Sequence, residues 1–229
     1  MPAFLISALA VVCAAILIVI LHRSIRQAIL LTVMAVAWFA VTGMLAEAGF
    51  FSNFAVTPPR LLLALVTPAV ALAIVIRSNS LRESLAATPI AVLIYLQVFR
   101  VVVEVLLFRA YKMGNIPVQM TFEGRNFDII AGLTAPIAGW LYQRSKSRLL
   151  ATLWNVAGLG LLGNIVVVAI LSMPGKLRYF TDGPANTLLT HFPFIYLPAV
   201  LVPIAYTAHI LSLRQLWSRG SSPEGAAGA

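Results

Sequence analysis

The stretch "LIYLQVFRVVVEVLLFRAYK", Leu93–Lys112, is an apolar run with Arg100 and Glu104 in its middle. A charge at the centre of a membrane helix costs about 2.5–3.5 kcal/mol on insertion scales, so such residues face a bundle interior or a wet cavity. Their i, i+4 spacing sets the two side chains on one helical face, where they can neutralise each other. Gln97 and Tyr111 fall on the same face and extend it into a polar stripe. Two interpretations follow: a local ion pair that locks helices together, or a solvated pocket opening outward.

The rest of the chain supplies the setting. Of 229 residues, 61% are hydrophobic and only 10% charged, a balance that no ordinary soluble domain shows. The expectation is an all-α integral membrane protein. Seven apolar segments, with cores near 3–21, 27–48, 60–76, 87–109, 128–143, 149–172 and 190–212, approach the roughly twenty residues needed to cross about 30 Å of hydrocarbon. The fifth is the shortest and holds Pro136, Gly132 and Gly139, so a re-entrant segment is its alternative. These segments form one transmembrane domain over residues 1–219, followed by a small, polar, disordered tail at 220–229. No internal repeat is evident.

A net charge of +9 would suggest nucleic acid in a soluble protein, but here membrane topology accounts for it and no nucleic-acid partner is expected. "HRSIR" (22–26), "RSNSLRES" (77–84), "QRSKSR" (143–148) and the tail after "SLRQLWSR" are short and basic, which places them on the cytoplasmic side. The connections between them hold most of the acids and face outward. An odd number of spans then puts the N-terminus outside and the C-terminus in the cytoplasm of a bacterial-type inner membrane. No lysine or arginine precedes His22, and Val12 fits poorly before Cys13 in the lipoprotein-like "ALAVVC", so the first segment reads as a helix rather than a cleaved signal. The single cysteine excludes an internal disulfide and any multi-cysteine metal site.

Polar residues concentrate toward the outer ends of the segments. In "EGRNFD", Gly124 makes a turn and Asn126 or Asp128 caps the fifth helix by accepting backbone N–H bonds. Alternatively, Glu123, Arg125 and Asp128 form the lip of an external site, where a helix N-terminus favours an anion and Arg125 can grip carboxylate or phosphate. The preceding "IPVQMTF" alternates apolar and polar residues, as a short strand or a segment lying on the bundle would. In the sixth segment, Ala157, Gly160 and Asn164 share a face suited to close helix approach, with the Asn164 amide as packing glue or as a partner of Arg100 or Glu104. Pro198 and Pro203 bend the seventh segment, whose freed carbonyls must find partners within the bundle, while Pro193 either adds to the bend or sits in the first turn.

Chemistry is less legible. His191 is external, and only His22 and His209, placed near the cytoplasmic side, could share a depth, so no haem, metal or other cofactor is expected. No G-x-S-x-G, H-E-x-x-H or glycine-rich phosphate loop occurs. The seven-span, N-out arrangement is similar to that of rhodopsins and related receptors, but the last segment carries no lysine for a retinal Schiff base. The resulting expectation is an outward-facing polar cavity around Gln97, Arg100 and Glu104, flanked by Tyr111, Glu123, Arg125, Asn126, Asp128, Asn164 and His191. It would bind or move a small polar or ionic solute, with Arg100 holding an anionic group and Glu104 exchanging a proton. The alternatives are a membrane-embedded enzyme acting on a lipid or amphiphile, and a receptor or partner subunit in a membrane complex or homo-oligomer.

Overall fold

The computed structural model describes residues 4–22, 24–77 and 88–218. Arg23, the basic loop with Arg82 and the tail 220–229 lie outside the described residues. The described chain is all-helical. Its helices are α1 (Phe4–Leu21), α2 (Ile25–Glu47), α3 (Leu61–Arg77), α4 (Ile90–Leu96), α5 (Phe99–Lys112), α6 (Ile129–Ser145), α7 (Arg148–Leu171) and α8 (Val202–Ser218). α4 and α5 are one rod, tightened at Gln97 and Val98, where N–H groups bond three residues back rather than four. The seven apolar segments thus become seven rods. Five of them are long and apolar enough to cross a membrane, while α3 and α6 have 17 residues each.

Local chemistry sets the ends. Ser24 Oγ accepts from Gln27 N (3.3 Å) to open α2, and Ser147 Oγ accepts from Leu150 N (3.4 Å) to open α7. Lys146, at φ 51°, closes α6 in the left-handed region, so "SKS" turns the chain directly from α6 into α7. "IPVQMTF" is no strand: Val118–Met120 forms one 3-10 turn.

α8 is the central element. Of the window Leu197–Trp217, 72% is buried, against 6% for α2, and α8 packs on α7, α4, α3 and α1. Its N-terminal end is a π-helical segment, Leu197–Leu201, and the prolines explain the irregularity. Pro198 has no N–H for the carbonyl of Phe194, which accepts from Leu197 N instead (3.0 Å). Pro203 likewise offers nothing to Ala199, whose carbonyl accepts from Trp38 Nε1–H on α2 (2.8 Å). Tyr196 Oη donates to the carbonyl of Phe39 (3.1 Å), so two hydrogen bonds pin an otherwise exposed α2 to the π segment.

Trp38→Phe should therefore leave the Ala199 carbonyl unpaired and lower stability by about 1–2 kcal/mol, measured by thermal unfolding in detergent. Ala199 is wholly buried, so water cannot replace the indole. An unchanged midpoint would mean that the π segment satisfies its own carbonyls.

Of the small-residue face expected on α7, only Asn164 makes a bond within the chain, to the carbonyl of Arg125. Ala157 and Gly160 are exposed, because the residues that turn inward are Ala151, Asn155, Gly158 and Leu162.

Candidate functional site

Arg100 is 1% exposed and lies on α5 just past the tightened turn. Its partner is Asp128, not Glu104. Nε donates to Asp128 Oδ2 (2.7 Å), and Nη2 donates to Asp128 Oδ1, completing the two-pronged pairing that a planar guanidinium makes with a carboxylate. Nη2 also reaches the carbonyl of Gly158 (3.3 Å), and Nη1 donates to His209 Nε2 (2.9 Å). With Nε2 accepting, the imidazole proton is on Nδ1 and is donated to Asn155 Oδ1 (2.9 Å). Asn155 Nδ2 closes the chain on the carbonyl of Ala151 (2.8 Å).

The expected Arg100–Glu104 pair gives way to this network for a geometric reason. A carboxylate from α6 meets the guanidinium in its plane, whereas Glu104 is one turn farther along the same helix as Arg100. Asp128 stands at the N-cap of α6 but makes no side-chain capping bond, because Arg100 engages both of its carboxylate oxygens. Its charge still faces the positive end of the α6 dipole. Asn126 accepts a backbone N–H at the start of α6, as expected, and its amide does more. Asn126 Oδ1 accepts from Asp128 N (3.0 Å), and its Nδ2 donates to both oxygens of Glu104 (2.7 and 2.6 Å) and to the carbonyl of Met120 (3.1 Å).

A folded-back loop holds Asn126 in place. Gly124 N donates to the Thr121 carbonyl (2.9 Å), Arg125 N to that of Gln119 (3.1 Å) and Asn126 N to that of Thr121 (3.2 Å). The turn at Gly124 is so tight that a Cβ there would lie 2.6 Å from Gln119 Cα, which explains the glycine. Gly158 is the second required glycine: a Cβ would lie 2.6 Å from His209 Nε2, blocking the approach of α8 that brings the imidazole to Arg100.

The sequence-predicted residues therefore divide. Arg100, Glu104, Asn126 and Asp128 converge, and Gln97, wholly buried a turn away, donates to the carbonyl of Ala205 (3.0 Å). The others remain peripheral. Tyr111 packs beside Phe108 and beneath Lys112, and Glu123 makes an exposed ion pair with Lys112 (3.1 Å). Arg125 lies over the Phe180 ring, its carbonyl accepting from Asn164 Nδ2 (2.7 Å). Exposed His191 bonds the carbonyl of Thr187 (2.9 Å). Sequence reasoning missed His209, Asn155 and Gly158. A last segment ending at 212 sets His209 near a helix end, whereas α8 continues to Ser218. Asn155 and Gly158 carried a usable signal, since both are spaced to share the inward face of α7 with Ala151 and Leu162.

Beside this network lies a cavity of about 80 Å³ between α3, α5, α7 and the π segment. Glu104 and Asp128 are its charged lining residues. The remaining walls are apolar, from Leu61 and Leu65 on α3, Leu107 on α5, Val166 and Ala169 on α7, and Leu197. A polar cavity with Arg100 in its wall was expected; Arg100 is instead sealed behind Asp128. Leu62 and Leu65 on one rim and Val166 and Ile170 on the other are half-buried, so the cavity opens sideways between α3 and α7. Chemically, the site can accept hydrogen bonds, hold a proton or balance a cation. Among the described residues no three His, Cys, Asp or Glu side chains gather as metal ligands.

No curated protein and no solved structure matches the chain. Residues 58–217 match the model of the family described as "Domain of unknown function (DUF8737)", and the chain, whose α3–α7, α8 up to Trp217 and whole Arg100 network fall within that span, belongs to that family.

Proposed function

We propose that the chain is a seven-span protein of a bacterial-type cytoplasmic membrane, N-terminus outside, that binds and moves a small ligand through the cavity beside Glu104. The 17 residues of α3 and of α6 reach about 25 Å at the usual helical rise, near the thickness of the hydrocarbon core. The short basic connections at one set of helix ends support the cytoplasmic assignment of that side.

The observation that carries the reading is an apolar cavity inside the bundle that ends on a buried carboxylate. Ligand sites are mostly apolar with a few placed polar groups, and an ionisable residue at membrane depth is costly unless it is used or paired. Glu104 takes its hydrogen bonds from the neutral amide of Asn126 and lines the cavity. The role of Arg100 changes accordingly. Its Nε, Nη1 and Nη2 are all engaged by Asp128, His209 and Gly158, so it stabilises the site and does not grip an anionic solute.

Photolabelling tests this directly. A short neutral alkyl diazirine should form adducts on Val166 and Ile170 in protein reconstituted into nanodiscs, mapped by peptide mass spectrometry. Ala169→Trp, which fills the cavity, should reduce those adducts about tenfold while leaving exposed Val167 labelled as before. Equal labelling of Val166 in both proteins would remove the cavity as a ligand site.

A further inference from the structure

The charge balance of the cluster goes one step further than the cavity itself. Two carboxylates, Glu104 and Asp128, are 1% and 4% exposed, and one guanidinium, Arg100, is buried with them. His209 presents its acceptor nitrogen to Arg100, and Asn155 and Asn126 are neutral amides, so none of them supplies a compensating charge. The cavity walls contributed by α3, α7 and the π segment hold no charged side chain. Counted with both carboxylates ionised, the cluster is one positive charge short of neutrality, and either a proton on Glu104 or a bound cation closes that gap.

Geometry places the deficit. Arg100 is turned toward Asp128, with its remaining contacts on the far side at His209 and Gly158. Glu104 is the carboxylate left facing the cavity, steadied by Asn126 at both oxygens. Buried charges are tolerated where they are paired, and an apolar-walled cavity with an uncompensated carboxylate at its end favours a ligand that carries its positive charge on an apolar body.

We infer that the ligand is a small lipophilic cation, an alkylated ammonium whose charged head sits against Glu104 in the space between α3, α5 and α7 and whose apolar chain leaves through the opening between α3 and α7. This rests on the proposed cavity and names the chemistry of its occupant. Water-soluble anions are excluded by the same arrangement, because they would meet two carboxylates and no free cation. The lateral opening between α3 and α7 suits such a compound, which partitions into the bilayer before it binds.

Three diazirine probes of equal chain length, ending in trimethylammonium, hydroxyl and carboxylate, separate the two claims. Adducts on Val166 and Ile170 are normalised to those on Val167 of the same helix, which faces away from the cavity, so differences in membrane partitioning cancel. In the wild type the ammonium probe should exceed the carboxylate probe by about tenfold or more, because an ion pair in a desolvated site is far stronger than one in water. Glu104→Gln, which preserves size, should bring that ratio to about one. Should the variant fail to fold, the wild type still decides: unlabelled octyltrimethylammonium should suppress ammonium-probe labelling of Val166, and octanoate should not.

A wild-type ratio near one, or an ammonium preference that survives in a folded Glu104→Gln protein, overturns the cation. If the hydroxyl probe still labels the cavity in a manner sensitive to Ala169→Trp, the cavity stands and only its occupant is wrong, with a proton alone balancing Glu104. If no probe labels Val166 above the Ala169→Trp background, both claims fall.

Discussion

Asp128→Ala should destabilise the protein by about 3–5 kcal/mol, the largest loss expected from any single substitution at the site, read as a fall in unfolding midpoint and in monodisperse yield from detergent. Arg100 is 1% exposed, and removing its carboxylate partner leaves it facing an apolar-walled cavity with no partner for Nε. The loss reflects a stranded guanidinium more than a missing attraction. It follows that the double variant Arg100→Leu with Asp128→Leu should recover most of the stability, because well-packed apolar residues often replace a buried ion pair at little net cost. A double variant as unstable as Asp128→Ala would mean that the bonds from Arg100 to His209 and Gly158, rather than the ion pair, hold α5 against α7 and α8.

Gly158→Ala should be the second large effect. The added methyl would stand 2.6 Å from His209 Nε2, inside any permitted contact, so either the imidazole leaves Arg100 or α7 and α8 move apart. Overpacking of this kind costs about 1–3 kcal/mol, and losing the imidazole acceptor adds the cost of an unmet donor on a charged group. Thermal unfolding of Gly158→Ala, His209→Ala and the double variant forms a test cycle. The clash predicts that the double is less destabilised than the sum of the singles, since His209→Ala removes what the methyl strikes. Strict additivity would show that Gly158 and His209 act separately.

Both predictions concern contacts between residues far apart in the chain, and the sequence showed them unevenly. Period and length gave all seven rods, because an apolar run of about twenty residues has few other ways to satisfy its backbone. The prolines of the last rod announced carbonyls in search of partners, though not that Trp38, 161 positions away, would answer one of them. Arg100, Glu104, Asn126 and Asp128 stood out as costly residues for an apolar chain, and all four converge in the fold.

What the chain order alone determines, then, is which residues are too polar to meet hydrocarbon and which segments are long enough to be helices, since both follow from local composition and the helical repeat. The pairing was settled only in three dimensions. Arg100 could meet Glu104 by spacing or Asp128 by packing, and the choice depended on the angle at which the N-terminus of α6 approaches α5, which the folded-back loop around Gly124 fixes. That approach turns Arg100 away from the cavity, leaves Glu104 facing it and gives an apolar space where a polar one was expected, because hydrogen-bond geometry across helices is set by the whole packed bundle and not by any one segment.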